Sequence, residues 1–129
     1  MIGGHLISHW SRVQNSVALS SGEAELNASV KGISEICGFT NMAEELGFDF
    51  GIRHLLDASA TKGILMRTGA GKIKHLTVRQ LWVQEAIERK KIKVVKIPRE
   101  VNCADLLARC NGAKEMEEHL RIMNFGFWQ

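Results

Sequence analysis

The chain holds three aspartates, Asp49, Asp57 and Asp105, and two of them stand where oxygen ligands can converge on a cation. Asp57 follows Ile52-Arg53-His54-Leu55-Leu56, which reads as the end of a buried strand. Asp105 opens Asp105-Leu106-Leu107-Ala108-Arg109, which reads as a helix start after the turn-like Pro98-Arg99-Glu100-Val101-Asn102. A third acid, Glu25, lies in the first turn of a helix that begins at Ser20-Ser21-Gly22. Acids from one strand end and two helix starts can meet at one edge of an α/β sheet. Such an all-oxygen cluster suits a hard divalent cation. Mg²⁺ in particular keeps several waters and takes only a few carboxylates.

Each acid also has a plainer role. Glu23 is the return half of a capping box to Ser20. Glu25 has no such task, because Ala28, Ser29 and Gly32 give it no basic helix neighbour; the helix dipole alone would favour a glutamate there. Asp57 could cap the helix that follows it, and Asp105 could be a first-turn acid with Asn102 as the cap. The order and local context of the three together carry more than any one of them.

The elements that must position these acids are legible as an α/β layout. Residues 5–12 (His-Leu-Ile-Ser-His-Trp-Ser-Arg) read as a short strand with imperfect alternation. A helix starts at Ser20, and Leu26, Val30, Ile33 and Cys37 recur at helical spacing, with Ile36, Met42 and Leu46 prolonging the same buried face. Gly47 stops it. A strand is expected over residues 48–56, interrupted early by Asp49 and Gly51, then a short helix over 59–66 capped by Asp57 or Ser59. The stretch Thr68-Gly69-Ala70-Gly71-Lys72 is a loop. An amphipathic helix runs to about Lys90 through Leu76, Val78, Leu81, Trp82 and Ile87. Lys93-Val94-Val95-Lys96-Ile97 is a β-branched strand ended by the only proline. Two short helices, over residues 104–109 and 113–123, complete the reading.

The length fits one domain, and 45% hydrophobic with 24% charged residues is an ordinary globular composition. A net charge of +3 permits a nucleic-acid partner without demanding one. No run approaches the roughly 20 apolar residues of a membrane span, and residues 1–5 lack the features of a secretory signal. Cys37, Cys103 and Cys110 therefore read as reduced packing residues. No Cys-x-x-Cys pair or histidine cluster points to zinc. No Gly-x-Gly-x-x-Gly follows a strand, which removes support for a dinucleotide-binding protein.

The sequence resembles the ribonuclease H domain of copia-type LTR retrotransposon polyproteins. The resemblance is carried by Gly3-Gly4-His5-Leu6-Ile7-Ser8-His9-Trp10-Ser11-Arg12, by Ser16-Val17-Ala18-Leu19-Ser20-Ser21-Gly22-Glu23-Ala24-Glu25-Leu26-Asn27-Ala28, and by His54-Leu55-Leu56-Asp57. Lys74-His75-Leu76-Thr77-Val78-Arg79, Val95-Lys96-Ile97-Pro98 and Asn102-Cys103-Ala104-Asp105-Leu106-Leu107-Ala108-Arg109 continue it in order over residues 3–109. It implies a ribonuclease H-like mixed sheet with flanking helices over residues 1–129, with 113–123 as a helical extension. It also implies that Glu25, Asp57 and Asp105 are catalytic metal-binding acids. Two Mg²⁺ (or Mn²⁺) ions, roughly 3.5–4 Å apart, would serve hydrolysis of RNA in RNA–DNA hybrids.

The family's fourth acid sits on a first, central strand upstream of the segment matched by Gly3. The chain is thus expected to lack the first two strands of that fold, and to be inactive alone. Ala58 stands where the family has an amide residue, and Gly22 where threonine is common; neither touches a proposed ligand.

Lys74, His75 and Arg79 fall in a matched segment and are candidate contacts to the hybrid, whose recognition rests on backbone and 2′-hydroxyl groups. Lys62 and Lys72 could also track phosphates, whereas Arg89, Lys90, Lys91 and Lys93 read as a solvated face. His5, His9, His54 and His119 carry no signal, and Trp10, Trp82 and Trp128 read as core or docking residues. The expected partners are the hybrid and the reverse transcriptase domain of the parent polyprotein, in a cytoplasmic or nuclear particle, with no membrane. The rival expectation is a non-catalytic remnant that binds nucleic acid or docks to reverse transcriptase.

Overall fold

In a computed structural model, residues 1–14, 18, 20–67, 78–107 and 110–125 are described. They form two compact units, Gln14–Lys96 in one and Met1–Val13 with Ile97–Gln129 in the other. Among the described residues there are two parallel strands and four α-helices, a small mixed α/β arrangement.

The larger unit starts with α1 (Ser21–Glu45), where Ser20 Oγ accepts from the Glu23 N–H at 3.2 Å. That is the expected N-cap. The helix ends in a Schellman turn: Gly47 N–H donates to Glu44 O and Phe48 N–H to Ala43 O, with Gly47 at φ 84°. The buried stripe is Leu26, Ser29, Ile33, Thr40 and Ala43. Met42 and Leu46, expected to prolong the buried face, are 53% and 68% exposed. They lie around the helix from the Ile33–Ala43 side, which is the side that packs.

The strand expected over residues 48–56 is confined to β1 (Arg53–Leu56). Phe48 and Phe50 stack on each other instead, ring centroids 6.0 Å apart. β1 lies parallel to β2 (Lys93–Lys96), with Arg53 beside Lys93 and Leu56 beside Lys96. Between them come α2 (Ser59–Leu65) and α3 (Val78–Arg89). Ala58 is the N-cap of α2 with no side-chain hydrogen bond, so neither Asp57 nor Ser59 caps it as expected. On α3 the buried residues are Val83, Ala86 and Ile87, whereas Val78, Leu81 and Trp82 are exposed, as is Trp10 in the other unit. Trp82 and Trp10 are thus surface residues rather than core.

Leu26, Ile33, Leu56, Leu65, Val83, Ala86, Ile87, Ile92 and Val94 form one apolar core in which both strands bury a single face. Gln84 Nε2 donates to Ile64 O and ties α3 to the end of α2. The Lys90 ammonium bonds both Glu44 carboxylate oxygens, at 2.8 and 2.9 Å, and joins the C-terminal ends of α3 and α1.

In the smaller unit residues 5–12 are not a strand. Gly3 and Gly4, at φ 56° and 85°, make a tight turn that closes a bridge between Ile2 and His5. A strand needs a ladder partner, and none pairs with residues 6–12 among those described. The helix expected at 104–109 is a 3-10 turn, Cys103–Leu107, preceded by another at Arg99–Val101. Helix α4 (Ala113–Ile122) follows, and Glu115 accepts from the Gly112 N–H. Cys37 and Cys103 are half-buried free thiols, whereas Cys110 is exposed and so is not a packing residue.

Candidate functional site

Asp57 comes directly after Leu56, the last residue of β1, in a bend and half-buried. It therefore stands at the carboxyl end of a parallel pair, the end at which α/β proteins gather their ligands. Lys96, at the same end of β2, donates from Nζ to Ser59 Oγ at 2.6 Å. The Ser59 hydroxyl thus anchors a cation two residues from Asp57 instead of capping α2. Nothing in the sequence alone pairs Lys96 with Ser59, because strand register sets that contact.

Glu25 is positioned by the direction of α1. The helix passes over β1 so that a Cβ on Gly32 would lie 3.5 Å from Cε1 of His54. Thr40 and Ala43, further along the helix, line a small cavity with Ile52, just before the strand. The helix and strand therefore run in opposite senses. Two turns back from Gly32 lies Glu25, about 10 Å along the axis and on the same stripe of the helix. Asp57 lies three residues beyond His54, again about 10 Å along the strand. Counted along the helix and the strand, each acid is thus about 10 Å from the Gly32–His54 contact. Leu26 and Leu56, their immediate neighbours, belong to one core. The cavity, about 40 Å³, lies towards the other end of α1 and holds no more than a water or two.

Asp105 belongs to the smaller unit, in the 3-10 turn Cys103–Leu107. Its carboxylate is 15% exposed and accepts from Arg99 Nε at 3.1 Å. Asn102 Oδ1 accepts from the Ala104 N–H, so Asn102 caps the turn as expected. Asn111 Nδ2 donates to the Asp105 and Leu106 carbonyls. Sequence reasoning missed Arg99, which is six residues upstream and comes near only through the two consecutive 3-10 turns.

Arg79 is exposed in the first turn of α3, and Lys74 and His75 lie outside the described residues. Among the described residues no group of three histidine, cysteine or acidic side chains stands within reach of a single ion. Carboxylate oxygens are the donors that Mg²⁺ and Mn²⁺ prefer, and Glu25 and Asp57 carry them in the larger unit.

Of the histidines without sequence signals, His119 is buried and His54 half-buried. His54 faces α1, its Nε2 has no hydrogen-bond partner among the described residues, and burial lowers its pKa from the ordinary value. His119, 2% exposed, bonds the Glu100 carbonyl through Nε2 at 3.1 Å. Burial pushes the Cys37 thiol up against the pull of Lys90, and pushes Cys103 up as well, so both stay protonated.

The chain is 31% identical to the "Retrovirus-related Pol polyprotein from transposon TNT 1-94" of Nicotiana tabacum, over 82% of this chain and 8% of that polyprotein. This is a distant and partial homology, and the chain spans a small fraction of the relative's length. No protein-family model matches the chain, and no solved structure matches it. No helix among the described residues is long and apolar enough to cross a membrane.

Proposed function

We propose that this chain is a ribonuclease H-like part of a retrotransposon polyprotein and contributes carboxylates to hydrolysis of RNA in RNA–DNA hybrids. The observation that carries the reading is Asp57 at the carboxyl end of the parallel pair, with Glu25 in the first turn of the helix whose Gly32 packs over β1. It is joined by the homology to a retrovirus-related Pol polyprotein. Glu25 and Asp57 would hold Mg²⁺ or Mn²⁺, and Asp105 is the further acid that the resemblance implies. When bound, the ions supply charge neutralisation at phosphate and activation of water. The chain's own residues bind and orient the substrate. Lys74, His75 and Arg79 would meet the phosphates of the hybrid, and Lys96, anchored on Ser59, adds positive charge beside Asp57.

A second reading, a non-catalytic module that binds nucleic acid or docks to reverse transcriptase, draws on the pairing of Asp105 with Arg99. An arginine on that carboxylate competes with a cation for the same oxygen.

The test is Mn²⁺ titration of the 129-residue chain, followed by the electron paramagnetic resonance of the free ion, beside Glu25→Gln and Asp57→Asn. Cleavage of a hybrid labelled in its RNA strand is measured in parallel, for this chain and for the longest product of its gene. Each substitution is expected to weaken Mn²⁺ binding and to remove whatever cleavage is seen. Unchanged Mn²⁺ affinity in both variants overturns the metal site and leaves the second reading.

A further inference from the structure

The end of the β1–β2 pair opposite Asp57 carries an arrangement of cations that the proposed metal chemistry does not use. Arg53 opens β1 and Lys93 opens β2; they are direct register partners on the same exposed face of the sheet. Parallel neighbours stand about 4.8 Å apart, and like charges facing each other across strands are destabilising. Lys91 stands two residues before Lys93, also exposed. None of the three makes an ion pair or side-chain hydrogen bond among the described residues. Glu44 and Glu85 are engaged by Lys90 and Arg89, and Glu88, three residues before Lys91, is an exposed acid beside the patch.

Lys91 carries a second, independent cost. Three helices end in the same Schellman turn, and the position that must take positive φ is Gly47 in α1, Asn124 in α4 and Lys91 in α3. Lys91 N–H donates to Glu88 O, Ile92 N–H to Ile87 O, and Lys91 sits at φ 52°. Glycine and asparagine suit that conformation, whereas a lysine there is strained by its Cβ. A strained backbone and an unrelieved like-charge pair thus coincide within one patch. Backbone strain of this kind tends to gather where a ligand is bound.

We propose that Arg53, Lys91 and Lys93 form a phosphate-binding surface for the backbone of a nucleic acid, separate from the carboxylate end of the sheet. A nucleic-acid strand offers closely spaced phosphates that would relieve the Arg53–Lys93 repulsion. Leu55 and Val95, on the same face of the sheet, give sugar edges an apolar bed. The choice of a nucleic acid over other polyanions rests on the function proposed above; the patch itself does not involve Glu25, Asp57 or Asp105. Binding here would hold the strand about 10 Å from the Asp57 end, the length of the four-residue β1.

The test is fluorescence anisotropy of a labelled RNA–DNA hybrid and of a single-stranded DNA, in EDTA, across a potassium chloride series. The proteins are the 129-residue chain, Lys91→Gly, and the combined Arg53→Gln, Lys91→Gly, Lys93→Gln variant. Each removed cation should flatten the log–log salt dependence by up to about 0.9, and the combined variant should bind at least about tenfold more weakly at low salt. Lys91→Gly should lose affinity while its thermal midpoint rises by roughly 2–8 °C, a pairing that a merely structural role would not give. Polyglutamate of matched charge should bind far more weakly than either nucleic acid.

Unchanged affinity and salt slope in the combined variant overturn the proposal, as does polyglutamate binding as tight as nucleic acid. Because EDTA removes divalent ions, these outcomes are independent of the metal titration. Loss of binding in the cation variants with no metal effect at Glu25 or Asp57 keeps this surface and discards the nuclease.

Discussion

Gly32 of α1 lies over His54 of β1, so close that a methyl group on the glycine would stand 3.5 Å from the imidazole Cε1. That contact sets the level at which the helix crosses the strand. The space left is enough for one carbon in ordinary contact and no more.

Gly32→Ala is therefore expected to stabilise the chain. Alanine in a helix interior is favoured over glycine by about 0.5–1 kcal/mol, and the added carbon meets His54 without overlap. Gly32→Leu should do the reverse, because the larger side chain must displace the imidazole or the helix. Urea denaturation followed by far-ultraviolet circular dichroism separates the two; an alanine variant less stable than the parent would mean the helix sits closer to β1 than described.

Protonation of His54 should weaken the fold. Burial lowers its pKa in the folded chain below the ordinary value of 6.5, so the unfolded chain takes up the proton first as pH falls. The stabilising contribution is present in full above about pH 6.5 and is lost as pH falls through the folded value. The urea midpoint should drop between pH 7.5 and pH 5, and His54→Phe should flatten that part of the profile. An unchanged pH dependence in the phenylalanine variant would assign the effect to other groups.

Ile33 is fully buried, at 0% exposure, in the core shared with Leu26, Leu56 and Val83. Ile33→Ala should cost about 2–5 kcal/mol and Ile33→Val about 0.5–1.5 kcal/mol. Hydrogen exchange should then quicken in α1, β1 and β2 together, since one core holds all three. Faster exchange in α1 alone would show that the strands stand without it.

In any form of the chain that cleaves a hybrid, Asp57→Asn should lower the rate by at least about 10² while hybrid affinity stays within about threefold. The substitution removes an anionic metal ligand and no phosphate contact. A parallel fall in binding and cleavage would make Asp57 a structural residue at the end of β1.

The parts of this fold legible in the sequence are those set by short-range chemistry. Ser20 and Gly47 bracket α1 because a cap and a positive-φ turn are written in the residues themselves. The β-branched Val94 and Val95 mark β2. The parts that were not legible depend on partners distant in sequence. Met42 and Leu46 look like core residues until the side of α1 that packs is known. Residues 5–12 read as a strand, yet a strand exists only with a ladder. For the site, the types and order of Glu25, Asp57 and Asp105 were readable, and so was the cap at Asn102. The pairing of Asp105 with Arg99, of Lys96 with Ser59, and of Arg53 with Lys93 arises from turn geometry and strand register. No spacing rule in one chain reveals those.

The parallel pairing of β1 with β2 also has a consequence for synthesis. The register joins Arg53 to Lys93, so the first strand leaves the ribosome some forty residues ahead of its partner. At roughly 5–20 residues per second that is a wait of about 2–8 s, whereas a helix settles in about a microsecond. During that interval α1, which emerges before β1, can cover Leu56. The nascent chain is thus most open to mispairing between the emergence of β1 and that of β2, and a co-translational chaperone would find its target there.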